Sequence, residues 1–178
     1  MTGTTLRRLE ARDAVRVLET FTFADDMARQ GQVTTLPEAE TYVARLLDPQ
    51  GTHLPFAMVG EQDLLLGLVA LSVDAENLNA WFWYWTHPSG RRRGWTGRAA
   101  ATVANWALTT GGLHRLELGH RANNLASRGV ALAAGFIYEG TEREKFLVGA
   151  ERIDVLTYGR LASDPVPTTE PLRILAVP

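Results

Sequence analysis

The stretch from Trp81 to Gly97 constrains this chain more than any other. Trp81-Phe82-Trp83-Tyr84-Trp85-Thr86 reads as an aromatic strand. His87-Pro88-Ser89-Gly90-Arg91-Arg92-Arg93-Gly94-Trp95-Thr96-Gly97 follows as a turn, and Arg98 to Leu108 as a helix. A helix that starts directly behind a strand turn presents its unpaired N–H groups and the positive end of its dipole at that turn, which suits an anion. Gly94 and Gly97 let a ligand approach the backbone, and Arg91, Arg92, Arg93 and Arg98 place cations around the same mouth. An array of this kind holds phosphate without a metal, and a pyrophosphate is the expected ligand. A further strand, Arg115 to His120, follows the helix after Gly111-Gly112, so strand, helix and strand form a parallel pair.

Two other glycine-rich phosphate motifs are excluded. A P-loop requires Gly-Lys followed by Ser or Thr, and the chain has no Gly-Lys pair. A dinucleotide fingerprint requires G-x-G-x-x-G between parallel strands with an acidic residue after the second. Gly90, Gly94 and Gly97 do not meet that pattern.

The rest of the chain alternates between helical and extended patterns. Leu6 to Leu9 reads as a first strand, and Asp13 precedes a helix ending near Phe23. Thr35 and Glu38 form a capping box, with Pro37 in the first turn, ahead of an apolar face of Ala39, Val43, Leu46 and Leu47. Leu54 to Val59, Leu64 to Val73 and Ala80 to Thr86 read as an antiparallel meander. Helix 97 to 109 buries Ala100, Val103, Ala104, Ala107 and Leu108. Leu125 to Ala134 is a further helix, followed by strands Phe136 to Val148 and Ile153 to Leu161. Residues 1–162 therefore read as one α/β domain. The tail 163–178, with four prolines, reads as a loosely attached terminus.

Arg91-x-x-Gly94 resembles the Q/R-x-x-G-x-G/A acetyl-CoA signature of the GNAT N-acetyltransferases, with Thr96 standing where Gly or Ala is usual. Downstream, Asn124-Leu-Ala-Ser127, Gly135-Phe136, Glu139-Gly140 and Asp154 with Tyr158 resemble the ordered series of the RimJ/RimL branch, the ribosomal-protein N-terminal acetyltransferases and their relatives. The resemblance covers residues 5 to 162. It implies a GNAT fold in the α/β (α+β) class: a twisted mixed sheet of about seven strands flanked by about four helices. In that fold the fourth and fifth strands splay apart, and the pantetheine arm of acetyl-CoA enters the gap.

The resemblance also implies the site. Backbone groups near Trp85 and Thr86, freed by the splay, meet pantetheine amides and the thioester carbonyl. His87, Arg91, Arg92, Arg93, Gly94, Trp95, Thr96 and Gly97 hold the cofactor turn. Trp81, Trp83 and Trp85 are expected mainly to pack. Amine acetylation needs proton removal from the amine, polarisation of the thioester and protonation of the leaving thiolate. Ser127 matches the position whose hydroxyl meets the thiolate, and Asn124 either contacts the cofactor or caps the helix. Glu144 and His120 are the candidate bases, with a water chain as the alternative. Residues 20 to 40 line the acceptor cleft in this reading, with Phe21, Phe23, Asp25, Asp26 and Met27 as the named lining.

Composition fits such an enzyme. With 178 residues, 46% hydrophobic and 21% charged, the chain can bury a full core, and its net charge of −2 gives no basic field for nucleic acid. The absence of cysteine removes disulfides, thiolate metal sites and a Cys nucleophile. His53, His87 and His114 lack metal spacing. No apolar run approaches a membrane span and no signal peptide opens the chain, so a cytoplasmic protein is expected. Expected partners are acetyl-CoA and a primary amine, either a peptide or protein N-terminus or a small amine such as a polyamine, amino acid or antibiotic; nucleic acid and membrane are not. A homodimer is left open. The alternative function is an acyl-CoA-binding protein with little turnover.

Overall fold

The computed structural model describes residues 3–177. Its element order is β1 (Thr5–Arg8), α1 (Ala14–Phe23), α2 (Leu36–Leu47), β2 (His53–Val59), β3 (Leu65–Asp74), β4 (Asn79–Thr86), α3 (Trp95–Leu108), β5 (Arg115–Arg121), α4 (Leu125–Ala133), β6 (Ile137–Val148), β7 (Glu151–Leu161) and β8 (Arg173–Ile174), with short 3-10 turns between. The strands form one mixed sheet in the order β6-β7-β5-β4-β3-β2-β1-β8. Among the described residues the sheet thus has eight strands, where about seven were expected, and is flanked by four α-helices.

The period-2 pattern of the central strands splits their side chains between two cores. On β3, Leu66, Val69 and Leu71 join Phe56, Met58 and Phe82 beneath α3 and α4. Leu65, Leu68 and Ala70 join Val59 and Trp85 beneath α1 and α2. Strands buried on both faces therefore read as nearly continuous apolar runs. Helix α3 meets the sheet through Ala99, Ala100, Ala101, Ala104 and Ala107, all fully buried. Small side chains let its axis sit close to the strands. The predicted capping box at the start of α2 is formed: Thr35 accepts from the Glu38 N–H, and the Glu38 carboxylate accepts from the Thr35 N–H.

The tail is not loose. Thr169 Oγ1 donates to the Ala133 carbonyl at 2.6 Å, and Arg98 donates to the carbonyls of Glu170 and Pro171. The Leu172 N–H donates to Thr102 Oγ1 at 2.8 Å, and the Leu172 side chain is 5% exposed in the α3/α4 core. Residues 173 and 174 then pair in parallel with β1 as β8, which supplies the eighth strand. Proline density signals a chain that cannot form helix, but it does not signal detachment, because side chains such as Leu172 still find a core. Replacing Leu172 with Ala should lower unfolding free energy by about 2–5 kcal/mol, the usual cost of such a core truncation. Urea denaturation checks this; a detached tail would give no change.

Candidate active site

Strands β4 and β5 run parallel for only three pairs, Asn79↔Arg115, Ala80↔Leu116 and Trp81↔Glu117. Beyond them β4 stays bonded to β3 as far as Thr86, and β5 stays bonded to β7 as far as Arg121. Each strand is held from its far side, so the facing edges of residues 82–86 and 118–121 diverge without a ladder. Backbone groups inside a fold require partners; the Thr86 carbonyl finds one in the Arg91 side chain and the Arg121 carbonyl in the Asn124 N–H, while the rest of these two edges has no ladder and is open to a ligand's amides and carbonyls. This is the splay that the motif series implied around Trp85 and Thr86.

The turn beyond β4 has the predicted donors. Among the described residues, none of the backbone N–H groups of residues 92–97 has an acceptor in the chain; the ladder of α3 begins with Arg98 N–H to Gly94 O at 3.2 Å. Gly94 caps the helix at φ 73°, and Arg92 lies at φ 60°. Left-handed residues alternating along a turn aim successive N–H groups inward, which builds an anion cradle. A Cβ on Gly94 would meet no atom within 4 Å, so its need for glycine lies in its dihedral angles and in the approach of a ligand. At Gly97 a Cβ would come within 3.2 Å of the Ala133 Cβ, so this glycine brings α3 and α4 together at the cradle.

The arginines are distributed differently from the expectation. Arg98 is bound to the tail, as above, and is withdrawn from the mouth. Arg93 stacks over the Trp95 ring at 4.9 Å. Arg91 donates to the Thr86 carbonyl at 3.1 Å and to Asp26 Oδ1 at 2.8 Å. Arg92 is exposed and has no side-chain partner among the described residues. Thr96 Oγ1 and Thr86 Oγ1 are 2.8 Å apart, so the hydroxyl at the sixth motif position ties the first turn of α3 to the end of β4.

Asn124 caps α4 by accepting the Ser127 N–H at 3.1 Å. The Ser127 carbonyl accepts the Tyr84 hydroxyl at 3.1 Å, so the first turn of α4 is bonded across to β4 beside the gap. The Ser127 hydroxyl is unbonded among the described residues. Tyr84, absent from the sequence-derived site, lies on the same face of β4 as Phe82 and Thr86, and alternation from Thr86 was the signal that placed it there. Burial pushes its phenol up to about 12, so it remains a donor.

His120 is buried on the α3/α4 face of β5 and stacks on Tyr158 with ring centroids 5.2 Å apart. Its Nδ1 lies 2.9 Å from the Arg121 carbonyl. A carbonyl only accepts, so Nδ1 carries the hydrogen and the neutral ring has its lone pair on Nε2, which is buried without a partner. Glu144 lies elsewhere, exposed at φ 52° in the bulge where β6 slips against β7, its N–H donating to Asp154 at 2.7 Å. The structure does not bring its carboxylate together with Ser127 and His120 in any bonded network.

On the opposite face, Trp85 is buried and donates to the Tyr42 hydroxyl at 3.1 Å, and Trp83 donates to Ser72 Oγ. Trp81 is half exposed, its ring edge lying over Gly119. Of the expected acceptor-cleft residues, Met27 is instead core, 2% exposed, because its 3-10 turn is pinned between α1 and α2. Phe21 packs edge-on to Tyr42, Phe23 is exposed, and the Asp25 side chain lies outside the described residues. His87 accepts at Nδ1 from the Ser89 N–H, with Arg16 3.1 Å from the same nitrogen; its Nε2 is buried without a partner.

Among the described residues no His, Cys, Asp or Glu cluster is arranged for a metal, and no helix is long and apolar enough to cross a membrane. The acetyltransferase (GNAT) domain family model matches residues 4–137. The chain belongs to the GNAT acetyltransferase family. It is an N-acetyltransferase with acetyl-CoA as co-substrate. No curated protein sequence matches it. Among solved structures, spermidine N-acetyltransferase from Vibrio cholerae, in complex with CoA and spermine, superposes with a TM-score of 0.80 at 21% identity, covering 90% of this chain and 96% of that one. The ribosomal-protein alpha-N-acetyltransferase RimL in complex with coenzyme A gives 0.79 at 20% identity, over the same shares. A GNAT-family acetyltransferase from Bacillus anthracis gives 0.79 at 18%, over 92% and 98%. The likeness of fold thus extends beyond the RimJ/RimL branch.

Two outcomes follow. Gly94→Val forces a β-branched residue to a positive φ within the cradle and should weaken CoA binding by at least about tenfold, read by calorimetry, with the far-ultraviolet spectrum retained. Burial, followed by Arg16, lowers the His87 pKa below its ordinary 6.5. The folded state then binds its proton less readily than the unfolded one. His87's contribution is whole above about pH 6.5 and is lost as pH falls toward its lowered folded value. The unfolding free energy from urea denaturation should fall between pH 7.5 and 5, by at most about 1.4 kcal/mol per pH unit per group, and His87→Gln should flatten the fall.

Proposed function

We propose that the enzyme transfers the acetyl group of acetyl-CoA directly to a primary amine, namely the α-amine of a peptide or protein. The observation that carries the choice of amine is the state of the described carboxylates along α1, α2 and their connection, Asp25 aside. Glu19 is paired with Arg16, Asp26 with Arg91, and Glu38 with the N–H groups of Thr34 and Thr35. Glu40 is exposed on α2. A polyamine presents several ammonium groups and calls for several free carboxylates together, whereas an α-amine brings a single charge. The solved relatives include enzymes named for both acceptors, a spermidine N-acetyltransferase and RimL, and the fold alone does not divide them.

The residues take these parts. The N–H groups of residues 92–97 hold the diphosphate, and the open edge of β4 near Trp85 and Thr86 orients the pantetheine arm and polarises the thioester. When bound, acetyl-CoA supplies an activated acyl group with a good leaving thiolate. Ser127, whose hydroxyl is unbonded, holds the proton for that thiolate, while Tyr84 fixes the turn that carries it. His120 is the better base of the two candidates, because its Nε2 lone pair is buried without a partner and Glu144 faces solvent.

Mass spectrometry of products from a mixed library of peptides, polyamines, amino acids and aminoglycosides tests the reading. Acetylated peptide α-amines are expected; polyamine products alone would overturn the choice of acceptor, and no product at all would favour an acyl-CoA-binding protein. Ser127→Ala should lower kcat by about one to four decades with little change in CoA affinity.

A further inference from the structure

Arg91 and Asp26 meet where the cofactor turn touches the acceptor segment. Asp26 lies on the 3-10 turn Asp25–Arg29 between α1 and α2, fixed by the buried Ala24 and Met27 on either side. Arg91 bonds at once to Asp26 and to the carbonyl of Thr86, the last residue of β4. The pair therefore ties the segment between α1 and α2 to the end of β4, at the start of the turn. Its side chains are 39% and 49% exposed, and an ion pair this wet is weak. The unbonded N–H groups begin at the very next residue, Arg92. A diphosphate arriving there brings more than one negative charge to compete with a single carboxylate, and a guanidinium binds phosphate by the same forked geometry.

Resting on the reading that acetyl-CoA and an amine meet at this site, we infer that Arg91 withholds Asp26 from the acceptor until the cofactor's diphosphate draws the guanidinium away. The freed carboxylate then receives the ammonium charge of the incoming amine. Asp26 recognises the acceptor and does not react with it; the proton leaves elsewhere before attack. Cofactor binding thereby precedes amine binding and strengthens it, and by linkage the amine strengthens cofactor binding in return. The arrangement also keeps the cofactor-free enzyme from holding an amine with nothing to transfer. One carboxylate released by one exchange matches an acceptor with one charge at this mouth.

The test is the CoA affinity of the full chain by calorimetry, at low and moderate salt, for wild type, Asp26→Asn, Arg91→Gln and the double variant. Asp26→Asn should tighten CoA binding by about fivefold at low salt, within the usual range for linked sites, because Arg91 no longer has to be detached. That gain should vanish in the Arg91→Gln background. An equal gain in both backgrounds, which simple removal of a negative charge would produce, overturns the inference, as does no gain at all. With acetyl-CoA saturating and the mixed amine library as acceptor, Asp26→Asn should raise the KM for peptide amines by about tenfold while leaving kcat near wild type. An unchanged KM overturns the acceptor half. Failure of wild type itself to bind CoA would bring down the site assignment and this inference with it, a result distinct from CoA binding that ignores Asp26.

Discussion

Everything at this site depends on the parting of two parallel strands. Backbone N–H and C=O groups inside a protein require partners, and a sheet normally supplies them along the whole strand. Here β4 and β5 share three residue pairs and then separate, each kept in line by its antiparallel neighbour. Because β3 and β7 hold the outer edges, the gap cannot close by a simple shift of one strand. The unpaired inner edges belong to a rigid frame, and a ligand can complete them at little cost in reorganisation.

The starts of two helices are brought to this gap by different means. Helix α3 follows β4 through the Arg/Gly turn, with Gly94 in the left-handed region and Thr96 tied to Thr86. Helix α4 follows β5 through the Asn124 cap, and the Tyr84 hydroxyl draws its first turn toward β4. The close approach of Gly97 to Ala133 joins the two helices. One face of the sheet thereby gathers a phosphate cradle, a free serine hydroxyl and the buried imidazole of His120. The other face carries α1 and α2 with the 3-10 turn between them, and Arg91, through Asp26, and Arg16, through His87 and Ser89, link it to the turn beyond β4.

The charge at the cradle is mostly backbone charge. Of the four arginines that surround the turn in sequence, Arg98 holds the tail, Arg93 lies on Trp95 and Arg91 holds Asp26. The oriented N–H dipoles of the turn are fixed by the fold whatever the ionic strength, whereas the arginine side chains are mobile cations. That division suits a chain of slightly negative net charge.

The sequence by itself determined the elements and the chemistry of the turn. Alternation within β3 and β4, the Thr35 and Glu38 capping box, the alanine face of α3 and the glycines at 94 and 97 each act over a few residues, so their consequences can be read locally. The motifs likewise pointed to the GNAT family, whose model matches residues 4–137, but did not decide the branch within it. Tertiary structure decided what depends on distance along the chain. Arg98 finds carbonyls more than seventy residues away, Arg91 finds Asp26 sixty-five residues away, and Leu172 carries the tail into the core so that an eighth strand can form. The bond from Tyr84 to the Ser127 carbonyl and the burial of Met27 in the core have the same origin. Local pattern says that a side chain is apolar, cationic or aromatic; which partner it meets is set by the packing of elements that the pattern of neighbours does not contain.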